Sequence, residues 1–310
     1  MDVSICITTY NHGKYIEECL MSIFAQDFSG TCEIIIGNDN SSDNTEDIIR
    51  QIMETHPKGG TIRYFKNNPN LGYVKNTLFT FSQAKGKYIA VLDGDDYWID
   101  RFKLQKQFDL LENNPDLSAA GTNSKVVYED VDIESHNYSD RPERILKKDD
   151  LTDLSIFQTS TFFFRKEILQ PDFPTDIISA DRGLYLLAGC HGDVKFLSEE
   201  TAVYRQFQGS ISKNVPYEVM KKDFAIVPFI LKQGSGYRRS KLMAYFYYTL
   251  MTYPKKVSKT NFYRAAAGYA FYNIFSKFTL RPFRLYNIVR WTRHTVMQKY
   301  EIKKGNNSFI

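Results

Sequence analysis

Three carboxylates fall within four residues at Asp93-Gly94-Asp95-Asp96, directly after the apolar run KYIAVL of residues 87–92. Like charges this close repel unless a cation or a positive ligand balances them. In an extended segment side chains two apart point the same way, so Asp93 and Asp95 can act together. Hard oxygen donors suit Mg²⁺ or Mn²⁺, ions that commonly take one or two carboxylates and complete their shell with substrate phosphates. Without such a ligand the same residues read as an acidic turn ahead of a helix over Arg101–Asn113. A second polar cluster, Asn38-Asp39-Asn40-Ser41-Ser42-Asp43, ends another apolar run. Asx-turn chemistry accounts for Asn40–Asp43 but leaves Asp39, a carboxylate at a strand end, placed to accept a hydrogen bond from a base N–H. Zinc chemistry is disfavoured. Cys6, Cys19, Cys32 and Cys190 never take a C-x-x-C spacing, and the histidines are scattered. The cysteines read instead as small buried side chains in a reducing compartment.

The elements that must position these clusters alternate over the first 130 residues. VSICIT (3–8), EIIIG (33–37), 61–65 and 87–92 read as short apolar strands. Between them, Ile16, Cys19, Leu20, Ile23 and Phe24 mark one face of a helix, Ile48, Ile49 and Ile52 a second, and Tyr73–Ala84 a third. This alternation predicts an α/β fold, a Rossmann-like, mostly parallel sheet flanked by helices. Ligands bind beyond the carboxyl ends of such strands. The loops Thr8-Thr9-Tyr10-Asn11, Asn38–Ser42 and Asp93–Asp96 should therefore share one rim. From 115 to 215 the signals are mixed: a β-rich run at Thr159–Arg165, a helix at Ala180–Cys190, and two short strands at Val194–Leu197 and Thr201–Arg205. Beyond Pro216 the pattern is helical, broken at Gly234-Ser235-Gly236, Pro254 and Pro282.

Composition is that of a globular chain, with 43% hydrophobic and 25% charged residues, which argues against disorder or a disulfide-stapled miniprotein. The net charge of +4 hides a division: residues 1–215 carry −11, and residues 216–310 carry +15 with 21 of the 46 aromatics. We expect a catalytic domain over 1–215 and a basic, aromatic, helical region over 216–310. No run is long and apolar enough for a spanning helix, and the N-terminus lacks a signal-peptide pattern, so a cytoplasmic protein is expected.

SICITTYN, EIIIGNDNSSDNT, NLGYVKN, YIAVLDGDDYW, RFKLQKQ, SADRGLYLLA and ETAVYRQFQGSIS occur in this order over residues 4–212. Together they resemble the family-two, inverting glycosyltransferases of the GT-A fold. The resemblance implies a nucleotide-diphospho-sugar donor, usually UDP-linked, and a divalent ion, Mg²⁺ or Mn²⁺. It implies a nucleotide pocket lined by Thr8, Thr9, Tyr10 and Asn11, with Asp39 on the uracil and Lys75 near the nucleotide. It places Asp93 with Gly94 at the ribose, Asp95 on the metal, and Asp181 as the catalytic base. Three positions depart from the family pattern. Asn38 stands before Asp39 where an aspartate is common, Ala180 precedes Asp181 where Glu or Gly is frequent, and Phe207 occupies a place often held by His after Tyr-Arg.

The implied reaction transfers a sugar to a hydroxyl of a glycan acceptor, lipid-linked through a polyprenol as in bacterial surface-polysaccharide assembly. A dinucleotide-dependent oxidoreductase is the rival from another class, but TTYNHG follows the first strand where G-x-G-x-x-G would be required. The non-enzymatic rival is a degenerate nucleotide-sugar binder. For the basic tail, a packed helical subdomain competes with docking on an anionic membrane surface through Phe278, Phe283, Tyr286 and Trp291. No recognition motif accompanies the charge, so nucleic acid is not expected.

Overall fold

The computed structural model describes residues 1–152, 156–207, 215–234, 236–254, 256–277 and 282–305, with the side chains of 282–288 left out of the description. The chain forms two compact units, Met1–Thr175 with Ala180–Phe207, and Asp176–Ser179 with Gln208–Ile310.

In the first unit, strands and helices alternate as β1 (Val3–Thr9), α1 (Ile16–Phe24), β2 (Cys32–Asn38), α2 (Thr45–Thr55), β3 (Ile62–Lys66), α3 (Tyr73–Ser82) and β4 (Tyr88–Asp93). Then follow β5 (Tyr97–Trp98), α4 (Lys103–Asn113), β6 (Leu117–Tyr128), β7 (His136–Asn137), β8 (Arg144–Leu146), β9 (Phe163–Arg165), α5 (Ala180–His191) and β10 (Asp193–Gln206). The main path of the sheet runs β3-β2-β1-β4-β9-β6-β10-β5, with β7 on β6 and β8 on β10. The pairs β3/β2, β2/β1, β1/β4 and β6/β10 are parallel, and the short strands β5, β7, β8 and β9 pair antiparallel. The expected mostly parallel α/β architecture is present. β1 is buried along its whole length because helices cover the sheet, and Ile5, Ile7, Ile34, Ile36, Ala90 and Leu92 join Ile16, Leu20 and Ile23 of α1 in one core.

Three expectations are corrected. The two strands at 194–197 and 201–205 are one, β10, with register shifts against β6 between Leu197 and Ala202; polar Ser198-Glu199-Glu200 interrupts the apolar pattern at that irregularity. In the run 159–165 only Phe163–Arg165 is strand. Thr159–Thr161 is a turn of 3-10 helix, held by the Ser160 N–H donating to the Gln158 side chain at 2.6 Å. β6, twelve residues long, has no counterpart in the sequence reading.

The second unit is built from α6 (Tyr217–Met220), α7 (Ile226–Lys232), α8 (Arg239–Thr252), α9 (Lys259–Ser276) and α10 (Pro282–Gly305). Tyr217, Met220, Leu250, Met251, Val257, Phe262, Ala265 and Ala266 form its core. Ser258 caps α9 by accepting from the Asn261 N–H at 3.1 Å, and Asn273 of α9 donates to Thr292 of α10 at 2.8 Å. Asp223 accepts from the N–H groups of Ile178 and Ser179, and Lys222 pairs with Asp176 at 2.6 Å, which fixes the segment 176–179 within this unit. No described helix is long and apolar enough to cross a membrane.

Close approach of α3 to β2 requires glycine at one position. A Cβ on Gly37 would lie 2.1 Å from Thr80 Oγ1 and 2.7 Å from Asn76 Oδ1. The Asn76 amide donates to the Gly37 carbonyl at 2.8 Å and accepts from Asn67, which also donates to Asp39. Gly37→Ala should therefore destabilise the chain by about 1–3 kcal/mol, the usual cost of overpacking. The check is the denaturant midpoint; an unchanged midpoint would mean that α3 retreats freely.

Candidate active site

The rim at the carboxyl ends of β1, β2 and β4 is assembled around β1. Thr8 stands in register with Gly37 and Asp93, and Thr9 with Asn38. The Thr8 carbonyl accepts from the Gly94 N–H and the Thr9 carbonyl from the Asp39 N–H, both at 2.9 Å. The loops after β1 and β2 are then stitched together. The N–H groups of Asn11, His12 and Gly13 donate to Ser41 Oγ, Thr45 Oγ1 and Asp43 Oδ2, and the Ser42 N–H donates back to Asn11 Oδ1. Asn11 and Asn40 hold positive φ, 55° and 62°, a conformation asparagine tolerates better than most residues. Burial pushes the Asp43 carboxyl up, but hydrogen bonds from Thr45 and Gly13 outweigh it and hold Asp43 below the usual carboxylate range.

The acidic turn divides its labour. Asp96 is buried: it accepts from Ser160 Oγ at 2.6 Å, the Gln158 amide at 3.2 Å and the Arg205 N–H at 2.9 Å. Asp93 and Asp95 are half-buried, and Thr8 Oγ1 donates to Asp93 at 2.9 Å. Burial, then the Asp95 charge, push Asp93 above the usual carboxylate range; burial raises Asp95 as well, against the pull of Arg205. Gly94 is needed here, since a Cβ would meet Thr9 Oγ1 at 2.8 Å and His12 Nδ1 at 3.0 Å. Those two buried polar atoms have no hydrogen-bond partner. His12 Nε2 lies 3.8 Å from Asp95 Oδ2, and burial lowers the imidazole to about 4, so it stays neutral near pH 7.

Asp181 lies in the first turn of α5, one residue inside the helix rather than at its cap. Its charge contributes to raising Asp93, so the structure brings the two carboxylates into one electrostatic cluster. Tyr73 and Tyr185 belong to it too. Burial pushes both phenols well up, and both feel Asp181 and Asp93. Tyr10 presents its ring to solvent at 46% exposure, and Lys75 is exposed on α3.

Asp39 and Asn11 are more engaged than the sequence suggests. Both oxygens of Asp39 are occupied: Oδ1 accepts from Asn67 at 2.9 Å and the Leu71 N–H at 2.7 Å, and Oδ2 from the Gly72 N–H at 2.8 Å. Asp39 thus organises the loop before α3, with one lone pair of Oδ2 left over. Asn11 spends its carbonyl on Ser42.

Sequence reasoning missed His12, Tyr73, Tyr185 and Arg205. Arg205 braces the acidic turn from behind: it donates to the Asp95 carbonyl at 2.7 Å, pairs with Glu18 and Glu129, and lies over the rings of Tyr97 and Tyr15. The one available signal was its place in the YRQFQGS stretch. Phe207 stacks on Tyr15 with ring centroids 5.5 Å apart, a packing role at the position where a histidine was noted as frequent.

The donor set fits a divalent cation. Asp93 and Asp95, half-buried and close enough for the charge of Asp95 to act on Asp93, are hard oxygen donors of the kind such a cation takes. Among the described residues no group of three or more His, Cys, Asp or Glu is arranged to hold a metal. Asp95 would therefore be a minority ligand, the rest coming from phosphate oxygens and water, as suits Mg²⁺ or Mn²⁺.

Comparison with known proteins gives these residues a family. The family description "Glycosyl transferase family 2" matches residues 4–173. An uncharacterized protein of Mycobacterium tuberculosis is 31% identical over 204 residues, 66% of this chain and 58% of that protein. An uncharacterized glycosyltransferase of Nostoc sp. is 29% identical over 216 residues, 66% of this chain and 65% of that one. The chain thus spans less than two thirds of the length of these relatives. Among solved structures, S. aureus TarS in complex with UDP-GlcNAc superposes with a TM-score of 0.67 at 19% identity, covering 97% of this chain and 89% of that one. A Pyrobaculum calidifontis mannosyltransferase in complex with GDP-Man and Mn²⁺ gives 0.57 at 18% identity, covering 96% and 86%. These likenesses establish the GT-A-type fold. The family match covers more than half of the chain, and the chain belongs to glycosyl transferase family 2.

Proposed function

We propose that the chain is an inverting glycosyltransferase that moves a sugar from a UDP-linked donor to a hydroxyl of a glycan acceptor. The acceptor is carried on a polyprenol lipid at the inner face of the cytoplasmic membrane, in surface-polysaccharide synthesis. Residues 1–215 do the chemistry and 216–310 form the helical extension. The observation that carries the reading is the pair Asp93 and Asp95 at the carboxyl end of β4, in a parallel sheet, with the charge of Asp181 acting on Asp93. Neighbours of the same fold bind UDP-GlcNAc and GDP-Man, which supports a nucleotide-sugar donor.

Rupture of the sugar–phosphate bond builds positive charge at the anomeric carbon and negative charge on the departing diphosphate. A divalent cation, held through Asp95, supplies neutralisation of that leaving group when bound. The protein's own residues do the rest. Tyr10 offers an exposed ring to a base face, Asp39 directs the remaining lone pair of Oδ2 at the uracil N–H, and Asp93 takes the ribose. Asp181 accepts the proton of the acceptor hydroxyl as it attacks from the face opposite the diphosphate, which inverts the anomeric centre in one displacement. Burial holds Tyr73 and Tyr185 protonated within the field of Asp181, and the Tyr185 hydroxyl donates to Thr159 Oγ1 at 3.4 Å.

A panel of nucleotide sugars with and without Mn²⁺, read by thermal shift and then by turnover, tests the reading. Binding without turnover on any acceptor would leave a nucleotide-sugar binder. Asp95→Asn should make UDP affinity insensitive to Mn²⁺ or Mg²⁺; calorimetry showing a wild-type metal response removes Asp95 from that role. Asp181→Asn should preserve donor binding and lower transfer by ~10²-fold or more, the usual share of a general base. Near-normal transfer in that variant assigns the base to another group. Asp39→Ala removes the acceptor of three hydrogen bonds, so it should destabilise by about 1–3 kcal/mol. It should also weaken uridine nucleotides more than pyrophosphate; equal loss for both ligands would confine Asp39 to loop organisation.

A further inference from the structure

α9 is apolar on more than the face it buries. Phe262, Ala265 and Ala266 lie in the core of the second unit. A helix with one buried stripe ordinarily carries polar residues opposite it, and one that is apolar all round belongs in a core or against lipid. Here the outward positions Tyr263, Ala267, Phe271 and Phe275 recur every fourth residue and line one slowly turning stripe. Tyr263, Phe271 and Phe275 are 55%, 56% and 64% exposed, and the rings of Phe271 and Phe275 touch with centroids 5.1 Å apart. Exposed Lys259, Arg264 and Lys277 accompany the stripe. Single exposed aromatics are ordinary, but a contiguous run of them marks an interaction surface.

Charge decides what covers it. From Phe224 to Tyr300 the sequence holds 14 Lys and Arg and not one Asp or Glu. A second copy of this chain would bring the same positive face to meet it, and like-charged surfaces repel. Nucleic acid would satisfy the charge, but Phe271 and Phe275 pack on each other at 34° rather than standing apart with faces free for successive bases. Anionic lipid satisfies both features, with phosphates for the cations and an acyl boundary for the rings.

We propose that the outward stripe of α9 is an interfacial docking surface for anionic phospholipid, with Tyr263, Phe271 and Phe275 entering the acyl boundary and Lys259, Arg264 and Lys277 meeting headgroup phosphates. It deepens the lipid-linked-acceptor reading, on which its biological purpose rests. α9 lies in the plane of the interface, since no described helix is long and apolar enough to cross. The sequence offers Phe278, Phe283, Tyr286 and Trp291 for such a contact. Phe278 lies outside the described residues, as do the side chains of Phe283 and Tyr286, and only Trp291, 68% exposed on α10, is described.

The test is co-sedimentation of the full chain with vesicles of phosphatidylglycerol mixed with phosphatidylcholine, against phosphatidylcholine alone. Wild-type protein should bind the anionic vesicles at low salt, weaken as salt rises, and retain part of its binding, because ring burial is not screened. Phe271→Ser with Phe275→Ser should cut partitioning about tenfold or more, while UDP affinity and melting temperature stay at the wild-type values. Arg264→Gln with Lys277→Gln should weaken binding at low salt and leave the salt-resistant part. Indifference to anionic vesicles, or a Phe271/Phe275 variant that binds like wild type, overturns the inference. So does a single-stranded oligonucleotide that the aromatic variant no longer binds, or a dimer that the variant dissolves. Turnover on a soluble acceptor is measured separately: wild-type chain that turns over but ignores anionic vesicles fails the docking surface alone, and wild-type chain that binds vesicles without turnover fails the enzymatic reading alone.

Discussion

Repulsion among carboxylates at the end of β4 is the constraint to which the rest of the first unit answers. Asp93, Asp95 and Asp96 cannot all be ionised there at low cost, and the surrounding elements handle each differently. Asp96 is taken out of the problem by three hydrogen bonds, from the 158–160 turn and from the Arg205 backbone. Arg205 then lends its cation to the back of Asp95 while Glu18 and Glu129 hold the guanidinium still. What remains at the open side is the pair Asp93 and Asp95, eased only in part by Thr8 and Arg205. The short strand β5 makes this possible: it pairs antiparallel with β10, Tyr97 opposite Val203, and so brings residue 96 to residue 205.

The rim is also set before any ligand arrives. Thr8 and Thr9 anchor the turn after β4 and the loop after β2 through consecutive carbonyls, and the loops after β1 and β2 exchange four hydrogen bonds. Asp39 shows how such preorganisation uses its groups. The same carboxylate that would read a base holds the loop before α3, so orientation of the carboxylate and order of the loop are one property. Its buried neighbours Asn67 and Asn76 carry that order back to Gly37, where the backbone comes too close to α3 for any side chain.

How far this was legible in the sequence follows from what buries each element. β1, β2 and β4 are covered on both faces, so they read as unbroken apolar runs whose polar ends mark the rim; Thr8, Asp93 and Asp95 were found that way. β6 is equally buried over its first eight residues, but its sequence, LSAAGTNSKVVY, is small and polar. Several of those groups find partners elsewhere in the fold, Thr122 with Thr201 and Asn123 with Ser139, and no hydropathy pattern reveals a polar group whose partner lies on another element. β10 was split because the polar residues at its irregularity look like a loop. His12, Tyr73, Tyr185 and Arg205 escaped for the same reason: Arg205 meets Asp95 across 110 residues, and only the fold brings them together.

Electrostatics then restricts how the site is used. Residues 1–215 carry a net −11, and the rim concentrates carboxylates at the end of β4. Among the described residues Arg205 is committed to Glu18 and Glu129, and Lys14 to Glu129. His12 stays neutral near pH 7 because of its burial, and so brings no charge to Asp95. A rim of this charge suits an anionic ligand only when positive charge accompanies it. The raised proton affinity of Asp93 and Asp95 and the hard-oxygen character of the donor set are two expressions of that single requirement.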